Sequence, residues 1–239
     1  MSVQIDVLRR ESPEAAPVWQ SFRYEPRSEA DTVATALTWL CGLSDLRDME
    51  GKPAAPIRWE HSCLQKKCGA CAMVVNGRPR LACDALLSEY RGTIRLEPLR
   101  KFPVVADLIV DRSVMFENLR TLAAWLERET AVTEKQIETA YESSRCLQCG
   151  CCLEVCPNFV PGDGFTGAAG AVPMSRVLSE LPTDRAAAKR YRRLVYEGCG
   201  KSLACKDICP AGIDVERLMV ASSAAAVWKG LFRRRSRRG

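Results

Sequence analysis

"CLQCGCCLEVCP" (residues 146–157) is one of two cysteine runs in the C-terminal half of the chain, and "CGKSLACKDICP" (residues 199–210) follows the same pattern. The first run has the spacing Cys-x2-Cys-x2-Cys-x3-Cys-Pro, with cysteines at Cys146, Cys149, Cys152 and Cys156. The second run keeps this spacing with Cys199, Cys205 and Cys209, but it has Ser202 at the second position. The two runs therefore differ in one donor atom.

The spacing of the first run is typical of bacterial ferredoxins with two clusters, in which the cysteine before the proline ligates the other cluster. Applied to both runs, this rule exchanges the last cysteine of each run. We predict a [4Fe–4S] cluster bound by Cys146, Cys149, Cys152 and Cys209. The second cluster then receives three thiolates, from Cys156, Cys199 and Cys205.

Ser202 decides the type of the second cluster. A serine hydroxyl stays protonated at neutral pH, whereas thiols close to iron ionise readily. A cubane held by three thiolates can lose the iron at its unligated corner, so we predict a [3Fe–4S] cluster with Ser202 at the vacant corner. Two alternatives remain open: ligation through the serine oxygen, or a water molecule that completes a [4Fe–4S] cluster. Substitution by Cys151 is geometrically unfavourable, because this residue lies between two ligands of the first run.

A third group of cysteines lies in "CLQKKCGACAMVVNGRPRLAC" (residues 63–83). It has the plant-type [2Fe–2S] spacing C-x4-C-x2-C…C, with Cys63, Cys68, Cys71 and Cys83 as the predicted ligands. Gly69 lies between two of them and leaves room for backbone amides to approach the sulfurs. A structural zinc site is the alternative, although zinc usually uses two CxxC pairs. We assign no ligand role to His61.

Composition limits the class of protein. The chain has 239 residues, 47% of them hydrophobic, and 13 cysteines, of which Cys41 and Cys151 fall outside the predicted ligand sets. We interpret Cys41 as a buried small hydrophobe and Cys151 as a bystander. No run of 18 apolar residues and no apolar signal block is present, so we expect a protein that is in the cytoplasm or faces it. Disulfides are rare there, which favours metal clusters.

Apolar periodicity predicts two domains of different character. Strands are expected at 3–10, 18–24, within 71–83 and at 93–98, with a helix at 31–42 capped by Asp31 or Thr32. Helices are expected around 117–129, at 133–144, 185–198 and 214–232, with a Gly/Pro-rich connection at 161–173. The prediction is an α+β domain at 1–105, a helical domain at 106–232 and a basic tail at 233–239.

Charge is concentrated at the C-terminus. The formal net charge is +6, and "KGLFRRRSRRG" (residues 229–239) holds six basic residues and no acid, so the rest of the chain has 35 − 6 = 29 basic residues against 29 acidic ones. Such a tail either binds anionic lipid or stays solvated. Nucleic acid is not an expected partner, since no stacking aromatics alternate with the basic residues.

The order of the three motifs, together with "KFPVVADLIVDRS" (101–113) and "FTGAAG" (165–170), resembles the iron–sulfur subunit of the succinate dehydrogenase/fumarate reductase family. The resemblance covers nearly the whole chain. It implies an N-terminal β-grasp domain like plant-type ferredoxins and a C-terminal helical domain of the ferredoxin type. Its clusters would relay electrons, and no catalytic residue or substrate pocket is expected on this chain.

The resemblance also implies partners. A flavoprotein with covalently bound FAD would interconvert succinate and fumarate, and a membrane anchor would complete a quinone site near the [3Fe–4S] cluster. The expected location is peripheral, on the cytoplasmic side of the cell membrane. The chain departs from many family members at Asn158, where they have tryptophan, and at Gly200, where they have histidine. It is closer to members whose anchor carries haem and most of the quinone site. An arginine common before the first cysteine is absent, since "EHS" (60–62) precedes Cys63.

Other functions are compatible with the same clusters. One is the iron–sulfur subunit of a related flavoprotein reductase that acts on another unsaturated acid or is thiol-linked. Thiol-linked members usually bear extra cysteine-rich domains, which this sequence lacks. A free-standing polyferredoxin carrier is the third reading, but small soluble carriers tend to be strongly acidic, whereas this chain outside its tail is neutral.

Overall fold

The computed structural model describes residues 2–228 of the chain. It divides into two compact units, Met1–Arg112 and Ser113–Gly239. The boundary expected after residue 105 falls within the first of these units. The basic tail and the last residues of the helix expected at 214–232 lie outside the described residues. No helix within residues 2–228 has the length and apolar character needed to cross a membrane.

The first unit contains a five-stranded mixed sheet of β1 Val3–Arg9, β2 Val18–Tyr24, β3 Ala72–Val75, β4 Arg78–Leu81 and β5 Ile94–Glu97. The strand order in the sheet is β2-β1-β5-β3-β4. The central strand pair β1–β5 is parallel and the other neighbouring pairs are antiparallel. Alternate residues such as Ile5, Val7 and Phe22 are fully buried, as the two-residue period of a strand requires.

Helix α1, Val33–Cys41, begins at the N-cap Thr32 and ends at Gly42. Thr32 and Thr35 form a reciprocal capping box, which satisfies backbone donors of the first turn. Asp31, the other candidate cap, instead accepts hydrogen bonds from the Tyr24 hydroxyl and the Arg27 amide. The structure thus selects Thr32 from the two predicted caps.

A small hairpin that the sequence analysis did not predict closes the first unit. It consists of β6, Val104–Ala106, and β7, Ile109–Val110. Asp107 in its turn is 1% exposed and accepts hydrogen bonds from the backbone amides of Arg10 and Arg58. Its carboxylate also pairs with the Arg9 guanidinium at 3.1 Å. This buried carboxylate therefore holds three separate segments of the first unit together.

Between Ser113 and Trp228 the regular elements are all helical, so the predicted α+β class, a β-grasp sheet followed by a helical ferredoxin-type region, is confirmed. The core of the second unit contains Met174, Tyr191 and Val195, each fully buried. Helix α6, Arg185–Tyr191, continues as the π-helical segment Arg192–Tyr196, and helix α8, Val215–Ser223, continues as Ala224–Trp228. The helices are α2 Ser113–Leu122, α3 Glu134–Ser144, α4 Cys151–Glu154, α5 Gly167–Glu180, α6 Arg185–Tyr191, α7 Ala204–Asp207 and α8 Val215–Ser223.

The prediction of a connection throughout 161–173 is wrong, because α5 begins at Gly167 and includes Pro173. Gly162 and Gly164 do lie in a turn, with φ of 93° and 79°, whereas Gly170 serves close packing within the helix. A Cβ on Gly170 would lie 2.4 Å from the Thr166 hydroxyl and 2.6 Å from a methyl of Leu122. Most residues of α5 are buried, and tertiary packing therefore overrides the low helix propensity of these residues.

Candidate iron–sulfur centres

The first cysteine loop turns its backbone amides toward sulfur. Leu64 and Lys66 adopt the left-handed conformation, with φ of 53° and 58°. The amides of Gln65 and Lys67 donate to Cys63 Sγ, both at 3.3 Å. These hydrogen bonds lower the pKa of Cys63 to about 7. The loop is therefore shaped to stabilise a thiolate, which is the state that binds iron.

Two further thiols of this site lie in contact. Cys71 Sγ and Cys83 Sγ are 3.4 Å apart, and the amide of Lys66 donates to Cys83 Sγ. Two thiolates on one tetrahedral metal with bonds of about 2.3 Å lie about 3.8 Å apart, so this spacing suits two ligands of one ion. Burial raises the pKa of Cys71 to about 12, and a bound metal would remove its proton. Cys68 lies exposed in the same loop.

The loop is anchored by an arginine that the sequence analysis did not single out. Arg112 donates to the carbonyls of Gly69 and Ala70, both at 3.1 Å, and it pairs with Glu60. Its only sequence signal was its place in the segment "KFPVVADLIVDRS". His61 lies beside Trp59, with ring centroids 4.5 Å apart.

In the second unit, four thiols from both cysteine runs line one small cavity. Burial raises the pKa of Cys146 to about 11 and also raises the pKa of Cys152. Cys151 is fully buried outside the lining of this cavity, and a hydrogen bond to Cys149 raises its pKa. The thiols that line the cavity are those of Cys146, Cys149, Cys152 and Cys209.

A second cavity, of about 280 Å³, is lined by the remaining predicted ligands, Cys156, Cys199 and Cys205, and by Ser202. Aromatic and apolar side chains, including those of Tyr191, Tyr196 and Trp228, form the rest of its wall. Burial raises the pKa of Cys205. Each run thus contributes its last cysteine to the cavity of the other run.

The two runs share one backbone conformation around Cys149 and Ser202. In each run a left-handed residue precedes and follows this position, and a four-residue helix comes next, α4 or α7. Ser202 therefore occupies the backbone site that corresponds to Cys149. The left-handed residues are Gln148 and Gly150 in the first run, and Lys201 and Leu203 in the second.

The prediction that Cys41 is a buried small hydrophobe is wrong. Its side chain is only partly buried, and its Sγ donates to the Ile57 carbonyl at 3.2 Å. The end of α1 leaves it close to a free backbone acceptor, which sequence periodicity does not reveal.

Two family models match the chain. A 2Fe-2S iron-sulfur cluster binding domain matches residues 4–117, and a 4Fe-4S dicluster domain matches residues 145–214. The succinate dehydrogenase iron-sulfur subunit of Bacillus subtilis is 34% identical, over 92% of this chain and 90% of that protein. The fumarate reductase iron-sulfur subunit of Wolinella succinogenes is 31% identical, over 82% of this chain and 90% of that protein.

A solved structure shares the fold. A chain of the Mycobacterium smegmatis Sdh1 complex in the apo form superposes with a TM-score of 0.76 and 20% identity, over 94% of this chain and 95% of that one. A ferredoxin-like sheet unit followed by a helical unit with two cysteine runs defines an iron–sulfur electron carrier.

The chain belongs to the family of iron–sulfur subunits of succinate dehydrogenase and fumarate reductase, and it is the electron-transfer subunit of such an oxidoreductase. The predicted family and the predicted set of cofactors, [2Fe–2S], [4Fe–4S] and [3Fe–4S], are confirmed. The alternative of a structural zinc site at the first cysteine group is rejected, since the matching family model is that of a 2Fe-2S domain. The donor sets fit such clusters, because thiols of both runs line the two cavities of the second unit.

Proposed function

We propose that this chain conducts electrons one at a time between the FAD of a flavoprotein subunit and a quinone at a membrane anchor subunit. The clusters supply the redox chemistry when bound, and the protein supplies thiolates, hydrogen bonds and burial. The observation that carries the proposal is the exchange of Cys156 and Cys209 between two cavities, one of which contains Ser202.

The proposed ligand sets follow from this exchange. Cys63, Cys68, Cys71 and Cys83 hold [2Fe–2S]; Cys146, Cys149, Cys152 and Cys209 hold [4Fe–4S]; Cys156, Cys199 and Cys205 hold [3Fe–4S]. Support for the first set comes from the hydrogen bonds that backbone amides donate to the sulfurs of Cys63 and Cys83. Support for the other two sets comes from the cavities that these thiols line.

The three-iron assignment rests on the place of Ser202. Its backbone matches that of Cys149, so a cysteine side chain there would start from the same backbone conformation as the proposed ligand Cys149. The hydroxyl is a poor ligand for iron at neutral pH, and the corner iron has no thiolate to hold it.

We further propose that the anchor, of the haem-carrying type, provides most of the quinone site. Asn158 donates to the Gly198 carbonyl at 2.8 Å and is thereby turned toward the second cysteine run. A Cβ on Gly200 would lie 3.1 Å from the Asn158 amide group, so a larger side chain at position 200 would be crowded. The positions where many relatives carry tryptophan and histidine thus offer the quinone little on this chain.

The proposed location is the cytoplasmic face of the cell membrane, where the anchor would hold the chain peripherally. The six basic residues of 229–239 would add attraction to anionic lipid, at about 1 kcal/mol for each residue near the surface.

Anaerobic purification of the native complex tests the proposal. We expect a partner band that fluoresces on a denaturing gel because its flavin is covalent, together with EPR signals from three clusters. Succinate should reduce the clusters, and a quinone should reoxidise them. Isolation of this chain without a flavoprotein, in a form that still carries electrons, would favour the polyferredoxin alternative. If the saturated form of another unsaturated acid reduced the clusters and succinate did not, the related flavoprotein reductase would be favoured.

A further inference from the structure

Gln148 places its side-chain amide directly on a predicted cluster ligand. Its Nε2 lies 3.2 Å from Cys146 Sγ and 3.0 Å from the carbonyl oxygen of Ala169 in α5. Both partners are acceptors, so the NH₂ end of the amide must face them. The orientation of the side chain is therefore set by chemistry, and one N–H points at the ligand sulfur.

The carbonyl of Ala169 is available because of Pro173. In a regular α-helix the amide of residue 173 would donate to the carbonyl of residue 169, and proline has no amide proton. Gln148 supplies a donor in its place. This second hydrogen bond fixes the side chain at the wall of the cavity lined by the four thiols.

The arrangement leaves one polar atom unsatisfied. Gln148 Oε1 is buried and accepts no hydrogen bond from any residue in the range 2–228. A buried acceptor without a partner lowers stability, which offsets part of what the hydrogen bond to Ala169 contributes. Toward the thiols, the side chain has a favourable partner in Cys146 Sγ.

The second run provides an internal comparison. Lys201 occupies the position that corresponds to Gln148, with the same left-handed backbone. Its Nζ lies 5.3 Å from the ring centroid of Tyr196. The side-chain amide donor is thus a feature of the first run and not of the shared backbone pattern.

We propose that Gln148 is a positioning residue that raises the reduction potential of the [4Fe–4S] cluster by donating a hydrogen bond to its ligand Cys146. The inference rests on the proposed ligand set. Reduction by one electron adds negative charge that the sulfur ligands share, so an N–H donor stabilises the reduced state more than the oxidised state. Loss of the donor should make the cluster harder to reduce.

The test is a redox titration of the native complex followed by EPR. Gln148→Met keeps the length of the side chain and removes both N–H donors. We expect the equilibrium constant for one-electron reduction of the [4Fe–4S] cluster to fall by about tenfold, which is a midpoint about 59 mV lower. Gln148→Glu should lower it further, because it adds negative charge beside the ligand. The midpoints of the other two clusters should not move.

Two controls separate this role from a structural one. Gln4→Met removes the same atoms from a glutamine whose amide donates to Asp6 in β1, and it should leave all three midpoints unchanged. Pro173→Ala restores a backbone N–H that can donate to the Ala169 carbonyl. In this variant the carbonyl no longer depends on Gln148 for a hydrogen bond. The lower midpoint caused by Gln148→Met should persist in the Pro173→Ala background.

Three results would overturn the inference. They are an unchanged midpoint in either Gln148 variant, a shift that disappears in the Pro173→Ala background, and failure of both variants to hold the cluster, which would make Gln148 a structural residue. The proposed ligand set is tested separately, since an absent [4Fe–4S] signal in the unmodified complex would reject that set before any variant is compared.

Discussion

Ser202→Cys should convert the three-iron cluster into a [4Fe–4S] cluster. Ser202 lies between Lys201 and Leu203, whose φ values of 58° match the left-handed residues on both sides of Cys149. The new thiol would therefore start from the backbone conformation that presents Cys149 to the other cavity. The substitution replaces one oxygen by sulfur in a cavity of about 280 Å³, so steric cost is small.

The size of the effect follows from the donor set. The cluster gains a fourth thiolate, which binds the corner iron. Even the loss of an outer partner of a metal ligand costs about 10–100-fold in metal affinity. A complete ligand should therefore shift the population by at least that much. The non-haem iron content should rise by about one atom per chain, from roughly nine to roughly ten.

EPR of the anaerobically purified complex is the assay. An oxidised [3Fe–4S] cluster is paramagnetic and an oxidised [4Fe–4S] cluster of this type is not, so the oxidised-state signal should fall at least tenfold in Ser202→Cys. Ser202→Ala is the matched control, and it should retain the signal. If Ser202→Cys retained the full signal in a folded complex, or if Ser202→Ala lost it, the assignment of the vacant corner to this position would be wrong.

Three further changes test the rest of the account. Asp107→Ala removes a buried carboxylate and should lower the free energy of unfolding of the first unit by about 3 kcal/mol in denaturant titrations, whereas Asp45→Ala at an exposed pair should change little. Burial raises the pKa of Asp107, but hydrogen bonds from the arginine and the backbone amides outweigh burial, so the pKa lies below its usual value. The stability that this carboxylate contributes is therefore present above about pH 4 and should be lost as the pH falls further. Gly170→Ala should cost about 1–3 kcal/mol in thermal unfolding because its Cβ would overlap two side chains, and Gly42→Ala, with room for a Cβ, should be tolerated. Deletion of 229–239 should weaken binding of the complex to anionic vesicles in a sedimentation assay; unchanged binding would reject a role for the tail in lipid attraction.

The cysteine spacing carried most of the information that could be predicted. Ligand spacing reflects local geometry, so the three groups and the exchange of Cys156 and Cys209 could be inferred without a structure. Strands with two-residue apolar alternation, such as β1, were predicted for the same reason, because the period alone fixes the buried face.

The errors have physical causes. The sequence does not indicate α5, because Gly170 and Pro173 are usual marks of a turn. Only the neighbouring side chains show that close packing requires Gly170. The helix expected around 117–129 in fact spans Ser113–Leu122 and stops where Ala123 adopts a φ of 49°. The roles of Arg112 and Asp107 depend on contacts between distant segments, which a single sequence does not encode in any local pattern.

The most direct test of the central claim is to measure iron, acid-labile sulfide and zinc in the complex after purification without oxygen. Eleven thiols divided among three clusters predict about nine non-haem irons and about ten sulfides per chain, with haem iron of the anchor counted separately and no stoichiometric zinc. EPR of the same sample should resolve three distinct cluster signals. A content of about four non-haem irons or fewer per chain, or zinc in stoichiometric amount, would contradict the proposed relay of three clusters.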